Sequence, residues 1–339
     1  MFSQIETNRL QTSMNKSGDR RARIVVVGSF GVGLTFSMER VPDAGETVIG
    51  RAFSVDDGGK GSNQAIGAAR LGATVALCTA VGSDSHGERG RALWKEEGVD
   101  ATLATTISGS TMVGMIVVDE RGENRIAIVP GVLDAFTPDL LDGLDAARTD
   151  ADVLLVGLEI PFATAHAALA AGRRAGVITI LNPAPAPAGA LPAEMLALVD
   201  HLTPNRSEAA RLAGLPADAA AADLLAANCL ATIPIVALTL GGDGVLLRTE
   251  RKTVAINAVH VDPVVDTTGA GDSFNAAYAV RIALGDEPVA AARFAVRAAG
   301  HCVGRAHVVP SLPHLTDLAI KQPFPQVLTT AVGTKGHSR

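Results

Sequence analysis

The sequence predicts an α/β fold in which a doubly wound, mostly parallel sheet is flanked by helices and carries a small β-sheet lid. Short apolar strands alternate with helical segments through most of the chain, and repeated βα units of this kind form parallel sheets. Residues 34–57 and 105–130 interrupt the alternation with turn-rich, short strands. These two segments are expected to form the lid as a separate sheet.

The predicted elements begin with the β-branched run at residues 24–27, which is expected to be a buried strand entering a turn at Gly28. A helix closed by Gly72 follows it. This helix is predicted at 61–71. The further predictions are strands at 75–78, 153–156, 177–181 and 235–240, a helix at 163–175, and lid strands at 112–118 and 125–129.

Composition limits the classes of function. Of 339 residues, 47% are hydrophobic and the net charge is −6, which allows a large core and disfavours a nucleic-acid partner. Cys78, Cys229 and Cys302 show no paired spacing, which indicates free thiols in a reducing compartment. No run of 18 apolar residues is present, so no membrane partner is expected and a cytoplasmic location is predicted.

One folded domain is predicted over residues 23–320. Residues 1–22 are polar and lack the apolar core of a secretory signal, so they are expected to be a disordered extension. Residues 321–339 are expected to be a C-terminal tail.

The most informative segment is D-T-T-G-A-G-D-S-F at residues 266–274, between a β-branched stretch ending at Val265 and a predicted helix. Small residues at Gly269, Ala270 and Gly271 let backbone N–H groups converge on an anion, and the helix dipole adds positive potential. Asp272 falls in the first turn, where a carboxylate can take a proton from an attacking hydroxyl. The alternative is a tight turn whose aspartate only complements the helix dipole.

A second motif, G-G-K-G-S-N-Q-A at residues 58–65, opens the first helix. Gly61 follows Lys60 where a P-loop needs Ser or Thr, so the motif is not a P-loop. By itself it is also compatible with a glycine-rich turn that exposes a lysine.

In this order, and roughly two hundred residues apart, the two motifs resemble the signatures of the PfkB-type carbohydrate kinases, with the ribokinase branch most similar over residues 22–315. The resemblance implies a ribokinase-like fold and transfer of the γ-phosphate of ATP to a primary hydroxyl of a small sugar, first of all a pentose such as ribose. It implies that Asp272 is the catalytic base and that Gly269, Ala270 and Gly271 form the anion hole.

The resemblance also implies a set of binding residues. The sugar is expected to contact Gly31, Gly33, Gly59, Lys60, Gly61, Ser62, Asn63, Glu159 and Asp272. The nucleotide is expected to contact Asn205, Thr239, Leu240, Gly241, Gly242, Asp243, Gly244, Gly271 and Val296. Without the family, Glu159 is more simply a solvated loop carboxylate.

Two metal ions and one protein partner are implied in the same way. Glu208 is expected to hold Mg²⁺ through water, although the segment from Asn205 to Glu208 by itself indicates only a capping box. An activating potassium ion is expected near Asp266, Thr268, Cys302, Arg305, His307 and Ser311. Exposed lid edges give a physical reason for a homodimer through the lid.

The chain departs from the ribokinase pattern at two positions. Gly31 and Gly33 stand where ribokinases carry an Asn and an Asp that binds ribose hydroxyls. Loss of one such hydrogen bond weakens binding roughly 10- to 100-fold, and the glycines are expected to leave space for a bulkier or differently hydroxylated substrate. Val296 and His307 also differ from the family pattern, and His307 is expected to contribute only its carbonyl.

Three alternatives remain beside a pentose kinase. The first is a kinase of the same family that acts on a nucleoside, a sugar phosphate or another polyol. The second is a nicotinamide-dependent oxidoreductase, since Gly28, Gly31 and Gly33 follow a strand, although their order is not G-x-G-x-x-G. The third is a sugar sensor without catalysis, which the intact Asp272 turn disfavours.

Overall fold

A computed structural model of the chain describes residues 20–121, 123–141, 143–144, 150–187, 189–319 and 327–329. The predicted N-terminal extension lies outside these residues as far as residue 19. The strands are β1 (Arg23–Val27), β2 (Gly31–Ser37), β3 (Ala52–Gly58), β4 (Thr74–Gly82), β5 (Ala104–Ile107), β6 (Met112–Val118), β7 (Asn124–Val129), β8 (Val153–Gly157), β9 (Ile178–Asn182), β10 (His201–Leu202), β11 (Ile235–Thr239), β12 (Val245–Arg248), β13 (Thr253–Ile256) and β14 (Val327–Thr329).

The α-helices are α1 (Lys60–Arg70), α2 (Ser85–Glu96), α3 (Phe162–Ala175), α4 (Ala193–Leu196), α5 (Arg206–Ala213), α6 (Ala221–Ala226), α7 (Asn228–Ala231), α8 (Ala270–Ala283), α9 (Pro288–Val303), α10 (Val308–Ser311) and α11 (Leu315–Ala319). Three short 3₁₀ helices lie at Gly131–Ala135, Pro138–Leu140 and Gly241–Asp243.

The main sheet has the strand order β14-β13-β12-β11-β10-β9-β8-β1-β4-β5. All strands from β11 to β5 run parallel, and β12, β13 and β14 add an antiparallel edge. The chain leaves β1 towards β4 and β5, and later continues on the other side of β1 with β8. This reversal is a topological switch point, beside which ligands bind at the carboxyl ends of the strands.

The lid is a separate four-stranded sheet of order β3-β2-β6-β7. Strand β2 pairs with β3 in antiparallel fashion and with β6 in parallel fashion. Strand β5 covers the start of the predicted lid segment 105–130 but joins the main sheet, where it pairs with β4 in parallel fashion. The predicted α/β fold class is confirmed.

Two apolar layers cover the main sheet. In β1, Ile24 and Val26 point into one layer and Val25 and Val27 into the other. Burial on both faces explains why the strand is a continuous apolar run rather than an alternating one.

Helix α1 is brought against the end of β1 by two glycines. A Cβ on Gly61 would lie 2.6 Å from the carbonyl carbon of Gly28 and 2.6 Å from the nitrogen of Ser29, so only hydrogen fits there. Gly59, which precedes the helix, has φ 85° and lies against the backbone of Phe30. These contacts place the first turn of α1 at the carboxyl edge of the sheet.

The β-branched stretch that ends at Val265, before the anion turn at residues 266–274, is not a strand, and Val264 and Val265 are exposed by 57% and 53%. Two features of the fold differ from the sequence predictions. Strand β14 lies within the predicted tail and pairs with β13. Strands β12 and β13 were absent from the prediction. Among the described residues, no helix is both long and apolar enough to cross a membrane.

Replacement of Gly61 by Ala is expected to destabilise the protein by about 1–3 kcal/mol, because the new methyl group meets rigid backbone. This effect outweighs the gain in helix propensity of about 1 kcal/mol. Urea unfolding of Gly61→Ala measures it. Gly157→Ala is the matched control, since a Cβ there meets nothing within 4 Å. Equal stabilities of the two variants would contradict the packing described.

Candidate active site

The anion turn begins α8 at the carboxyl edge of the sheet. Gly269 is the N-cap residue with φ 81°, and a Cβ there would lie 2.6 Å from Cγ1 of Val308. The amide of Ala270 donates to the carbonyl of Thr267 over 3.3 Å, whereas the amides of Gly269 and Gly271 make no hydrogen bond within the described residues. Of the three predicted anion donors, Gly269 and Gly271 therefore remain available, and Ala270 is engaged.

The Asp272 carboxylate is buried, with 7% exposure, and is held by two amides of α1. Nδ2 of Asn63 donates to Oδ2 over 2.8 Å, and Nε2 of Gln64 donates to Oδ1 over 3.0 Å. Gln64 also donates to Oδ1 of Asn182 over 3.1 Å. Since both oxygens are fixed, the carboxylate has one defined position at the helix N-terminus.

Lys60 places a positive charge among the acidic groups of the site. The negative charge of Asp272 is the main cause that raises the Lys60 pKa, and Glu159 and Glu208 add to it against the opposing effect of burial. The ammonium group therefore stays charged and balances Asp272.

Glu159 is tied to the end of β1 and the start of α1. The backbone N–H of Lys60 donates to its Oε2 over 3.0 Å, and the Ser29 hydroxyl donates to the same oxygen. Ser29 lies just after β1, and Glu159 lies just after β8. The carboxylate thus stands at the switch point of the sheet, beside the carboxyl ends of β1 and β8.

Glu208 completes a capping box at the start of α5. Its Oε2 accepts from the N–H of Asn205 over 2.8 Å, and Oδ1 of Asn205 accepts from the N–H of Glu208 over 2.8 Å. Burial raises the Glu208 pKa, Asp272 adds to the rise, and Lys60 opposes it. The capping box that the sequence indicates is therefore present. It uses one oxygen of the Glu208 carboxylate and leaves Oε1 for a metal-bound water.

The predicted nucleotide loop lies beside this cap. Asn205 forms an isolated bridge with Thr239 at the end of β11, and residues 241–243 form a 3₁₀ turn. Gly244 has φ 89°, and a Cβ there would lie 2.1 Å from the carbonyl oxygen of Ile256. Leu240, Gly242 and Asp243 are the other members of the loop. Val296 is buried in the apolar layer of α8 and α9.

The predicted potassium residues meet next to the anion turn. Sγ of Cys302 lies 3.7 Å from the carbonyl oxygen of Thr268, to which it donates, and 2.9 Å from the Ser311 hydroxyl. Ser311 donates to the carbonyl of Val308 over 2.7 Å. Asp266 accepts from the N–H of Thr268. Arg305 instead donates to the carbonyl of His301.

Two predicted sugar contacts are occupied by protein. The hydroxyl of Ser62 accepts from Nε1 of Trp94 over 2.8 Å, so it faces the core. A Cβ on Gly31 would lie 2.5 Å from Cε of Met112, so the extra space expected at Gly31 is filled by that side chain. Near Gly33 the first obstacle is Cδ1 of Ile116 at 3.3 Å.

The sequence prediction did not include Gln64, Asn182 and Ser29 among the site residues. Gln64 is 0% exposed and Asn182 is 5% exposed. The available signal was the place of Gln64 directly after Asn63, within the motif at residues 58–65. Asn182 and Ser29 each end or follow a parallel strand, which is a second general signal.

Comparisons with known proteins identify the family. The profile described as pfkB family carbohydrate kinase matches residues 21–315. The chain belongs to this family. The kinase is 38% identical over 278 residues to the ribokinase of Bacillus subtilis, covering 81% of this chain and 91% of the relative. It is 34% identical over 297 residues to the ribokinase of Haemophilus influenzae, covering 86% and 96%.

A solved structure agrees with this assignment. The kinase matches Arabidopsis thaliana ribokinase, complexed with ribose and ATP, at a TM-score of 0.82 and 30% identity, covering 88% of this chain and 98% of that one. The enzyme is thus an ATP-dependent carbohydrate kinase, and the oxidoreductase alternative is excluded.

Asp272→Asn is expected to lower kcat by at least about 100-fold, because the amide cannot take the proton of the attacking hydroxyl. ATP affinity, measured by calorimetry, is expected to stay within a few-fold of the unmodified kinase. Because the amide has the size of the carboxylate, the fold is expected to be kept. Unfolding curves of the two proteins check this. Undiminished turnover would remove Asp272 from the chemistry.

Proposed function

We propose that this kinase transfers the γ-phosphate of ATP to the primary hydroxyl of a small sugar, with ribose as the first candidate. The observation that carries the proposal is the Asp272 carboxylate, which two amides of α1 hold in the first turn of α8 beside the available N–H groups of Gly269 and Gly271. Ribokinases with 34% and 38% identity support the choice of substrate.

In this proposal, Asp272 accepts the proton as the sugar oxygen attacks phosphorus. The amides of Gly269 and Gly271 bind the γ-phosphate oxygens, and the dipole of α8 adds to this stabilisation. Lys60 offsets the negative charge of the site. Phosphoryl transfer requires mainly position and charge neutralisation, and these residues supply both.

Asn63 and Gln64 are proposed to fix the sugar as well as the base. Their carbonyl oxygens, Oδ1 of Asn63 and Oε1 of Gln64, are buried without a hydrogen-bond partner in the described part of the chain. An unpaired buried acceptor is costly, and sugar hydroxyls are suitable donors. Glu159, beside the first residue of α1, is proposed to contribute a carboxylate to the same sugar.

Glu208 is proposed to hold Mg²⁺ through water. No cluster of three or more His, Cys, Asp or Glu able to hold a metal ion occurs among the described residues, and Mg²⁺ commonly binds one carboxylate plus substrate phosphates. When bound, the ion supplies positive charge to the phosphates. Asn205 and the loop from Thr239 to Gly244 are proposed to bind the nucleotide.

A potassium ion next to the anion turn is also part of the proposal, near Asp266, Thr268, Cys302, Arg305, His307 and Ser311. The carbonyl oxygens of Thr268 and Val308 already accept hydrogen bonds from Cys302 and Ser311. A carbonyl oxygen has two lone pairs, so each of these oxygens can also face a cation.

A homodimer through the lid is part of the proposal. Large apolar side chains are exposed on the lid sheet: Phe36, Phe53, Met115, Ile126, Ile128 and Val129. A second copy of this sheet, which exposes the same apolar side chains, is therefore the proposed partner.

The free thiols of Cys78, Cys229 and Cys302 favour a reducing compartment, so a cytoplasmic location is also proposed.

ADP release in the presence of ATP and Mg²⁺ tests the substrate class. We expect ribose or another pentose to stimulate release above the rate without sugar, with hexoses, nucleosides, sugar phosphates and polyols compared in parallel. Release that is stimulated only by a nucleoside or a sugar phosphate would support the alternative within the family. Absence of stimulation by every compound would contradict the proposal.

Glu208→Gln is expected to raise the Mg²⁺ concentration needed for half-maximal activity by about 10-fold or more, since a neutral amide binds hydrated Mg²⁺ weakly. The amide retains the capping hydrogen bond to the N–H of Asn205, so the unfolding free energy is expected to change little. An unchanged Mg²⁺ requirement in Glu208→Gln would contradict the assignment.

A further inference from the structure

Asp56 of the lid lies directly opposite Gly33, the position at which this chain lacks the carboxylate of the ribokinase pattern. In the antiparallel pair of β2 and β3, Gly33 is the partner of Asp56. Side chains of directly opposed residues share one face of a sheet and have Cβ atoms about 4.5–5.5 Å apart. Asp56 therefore projects from the same face, and from nearly the same place, as a side chain at position 33.

This face is the one turned towards the anion turn. Oδ1 of Asp56 lies 2.9 Å from Nδ1 of His307. His307 directly precedes Val308, which packs against Gly269. The neighbouring Asp57 points to the opposite face, where Arg89 of α2 donates to it over 2.5 Å. Of these two adjacent lid carboxylates, only Asp56 is on the side of Asp272.

The backbone at His307 has an unusual conformation beside Asp56. Among the described residues, His307 is the non-glycine residue with positive φ, at 64°. Such a conformation is strained and persists where the surroundings hold it. The backbone at this position is thus held in place, and the contact that its side chain makes is Nδ1 at 2.9 Å from Oδ1 of Asp56.

The Asp56 carboxylate keeps capacity for a ligand. Oδ1 is the oxygen close to His307, and Oδ2 accepts from the Ser54 hydroxyl over 2.6 Å. An ionised carboxylate offers about four acceptor sites, so two partners leave room for two more donors. The side chain is 32% exposed, so a ligand can reach it.

We propose that Asp56 binds the vicinal hydroxyls of the sugar in place of the carboxylate missing at Gly33, with Ser54 and His307 as its positioning residues. The inference rests on the proposed sugar kinase function and identifies a specificity-determining residue for it. The substrate it favours is a polyol with two adjacent hydroxyls that meet the lid while the primary hydroxyl meets Asp272.

The experiment compares steady-state kinetics for the best sugar in five proteins. These are the unmodified kinase, Asp56→Ala, Asp57→Ala, the double variant Gly33→Asp with Asp56→Ala, and His307→Gly. Asp57→Ala is the matched control, because it removes an adjacent lid carboxylate and its ion pair on the other face. Position 33 tolerates Asp, since its first obstacle is the flexible end of Ile116.

Asp56→Ala is expected to raise the KM for the sugar roughly 10- to 100-fold, with the KM for ATP unchanged. Asp57→Ala is expected to leave the sugar KM within about 3-fold of the unmodified kinase. The double variant is expected to recover most of the loss, because the carboxylate returns across the strand pair. His307→Gly relieves the backbone strain and is expected to raise the sugar KM only modestly.

An unchanged sugar KM in folded Asp56→Ala would overturn the inference while leaving the kinase function intact. Equal losses in the Asp56 and Asp57 variants would also overturn it, as would a double variant that folds without recovery. If Asp56→Ala fails to fold, Asp56→Asn with the same rescue at position 33 decides the question. Failure of the unmodified kinase to phosphorylate any sugar would instead remove the proposed function, and this inference with it.

Discussion

The hydrogen bonds between α1 and the Asp272 carboxylate join the two halves of the chain, and the site depends on them. Asn63 and Gln64 come from the first helix of the fold, whereas Asp272 begins a helix more than two hundred residues later. Buried carboxylates need partners to stay ionised. Lys60, from the same helix, adds the positive charge, so one short segment positions the base and balances its charge.

This contact is reached only because backbones pack closely at the switch point of the sheet. Gly28 and Gly61 touch without side chains between them, which sets α1 against the end of β1. Glu159 follows β8 and bonds to the N–H of Lys60, so the neighbouring strand is fixed to the same helix. The lid adds a second layer, in which Asp56 contacts His307, the residue before the Val308 that packs against Gly269.

The sequence predicted the parts of the fold that have strong periodic or turn signals. The βα units, lid strands β6 and β7 and the start of α8 agree closely with the structure. Strands β12 and β13 were missed because short antiparallel edge strands have weak patterns. Gln64 was missed although its motif was recognised, and the pairing of Asp56 with Gly33 depends on strand register, which one sequence does not reveal. Met112 beside Gly31 is likewise a tertiary contact.

A crystal structure of the kinase with a sugar that it phosphorylates and a non-hydrolysable ATP analogue is the most direct test of Asp272 as the base. The primary hydroxyl is expected within hydrogen-bond distance of the Asp272 carboxylate and in line with the terminal phosphate, which the amides of Gly269 and Gly271 bind. Asn63 and Gln64 are also expected to keep their bonds to Asp272. A sugar whose hydroxyl lies against another base, with Asp272 still bonded to the amides of Asn63 and Gln64, would contradict the role of Asp272.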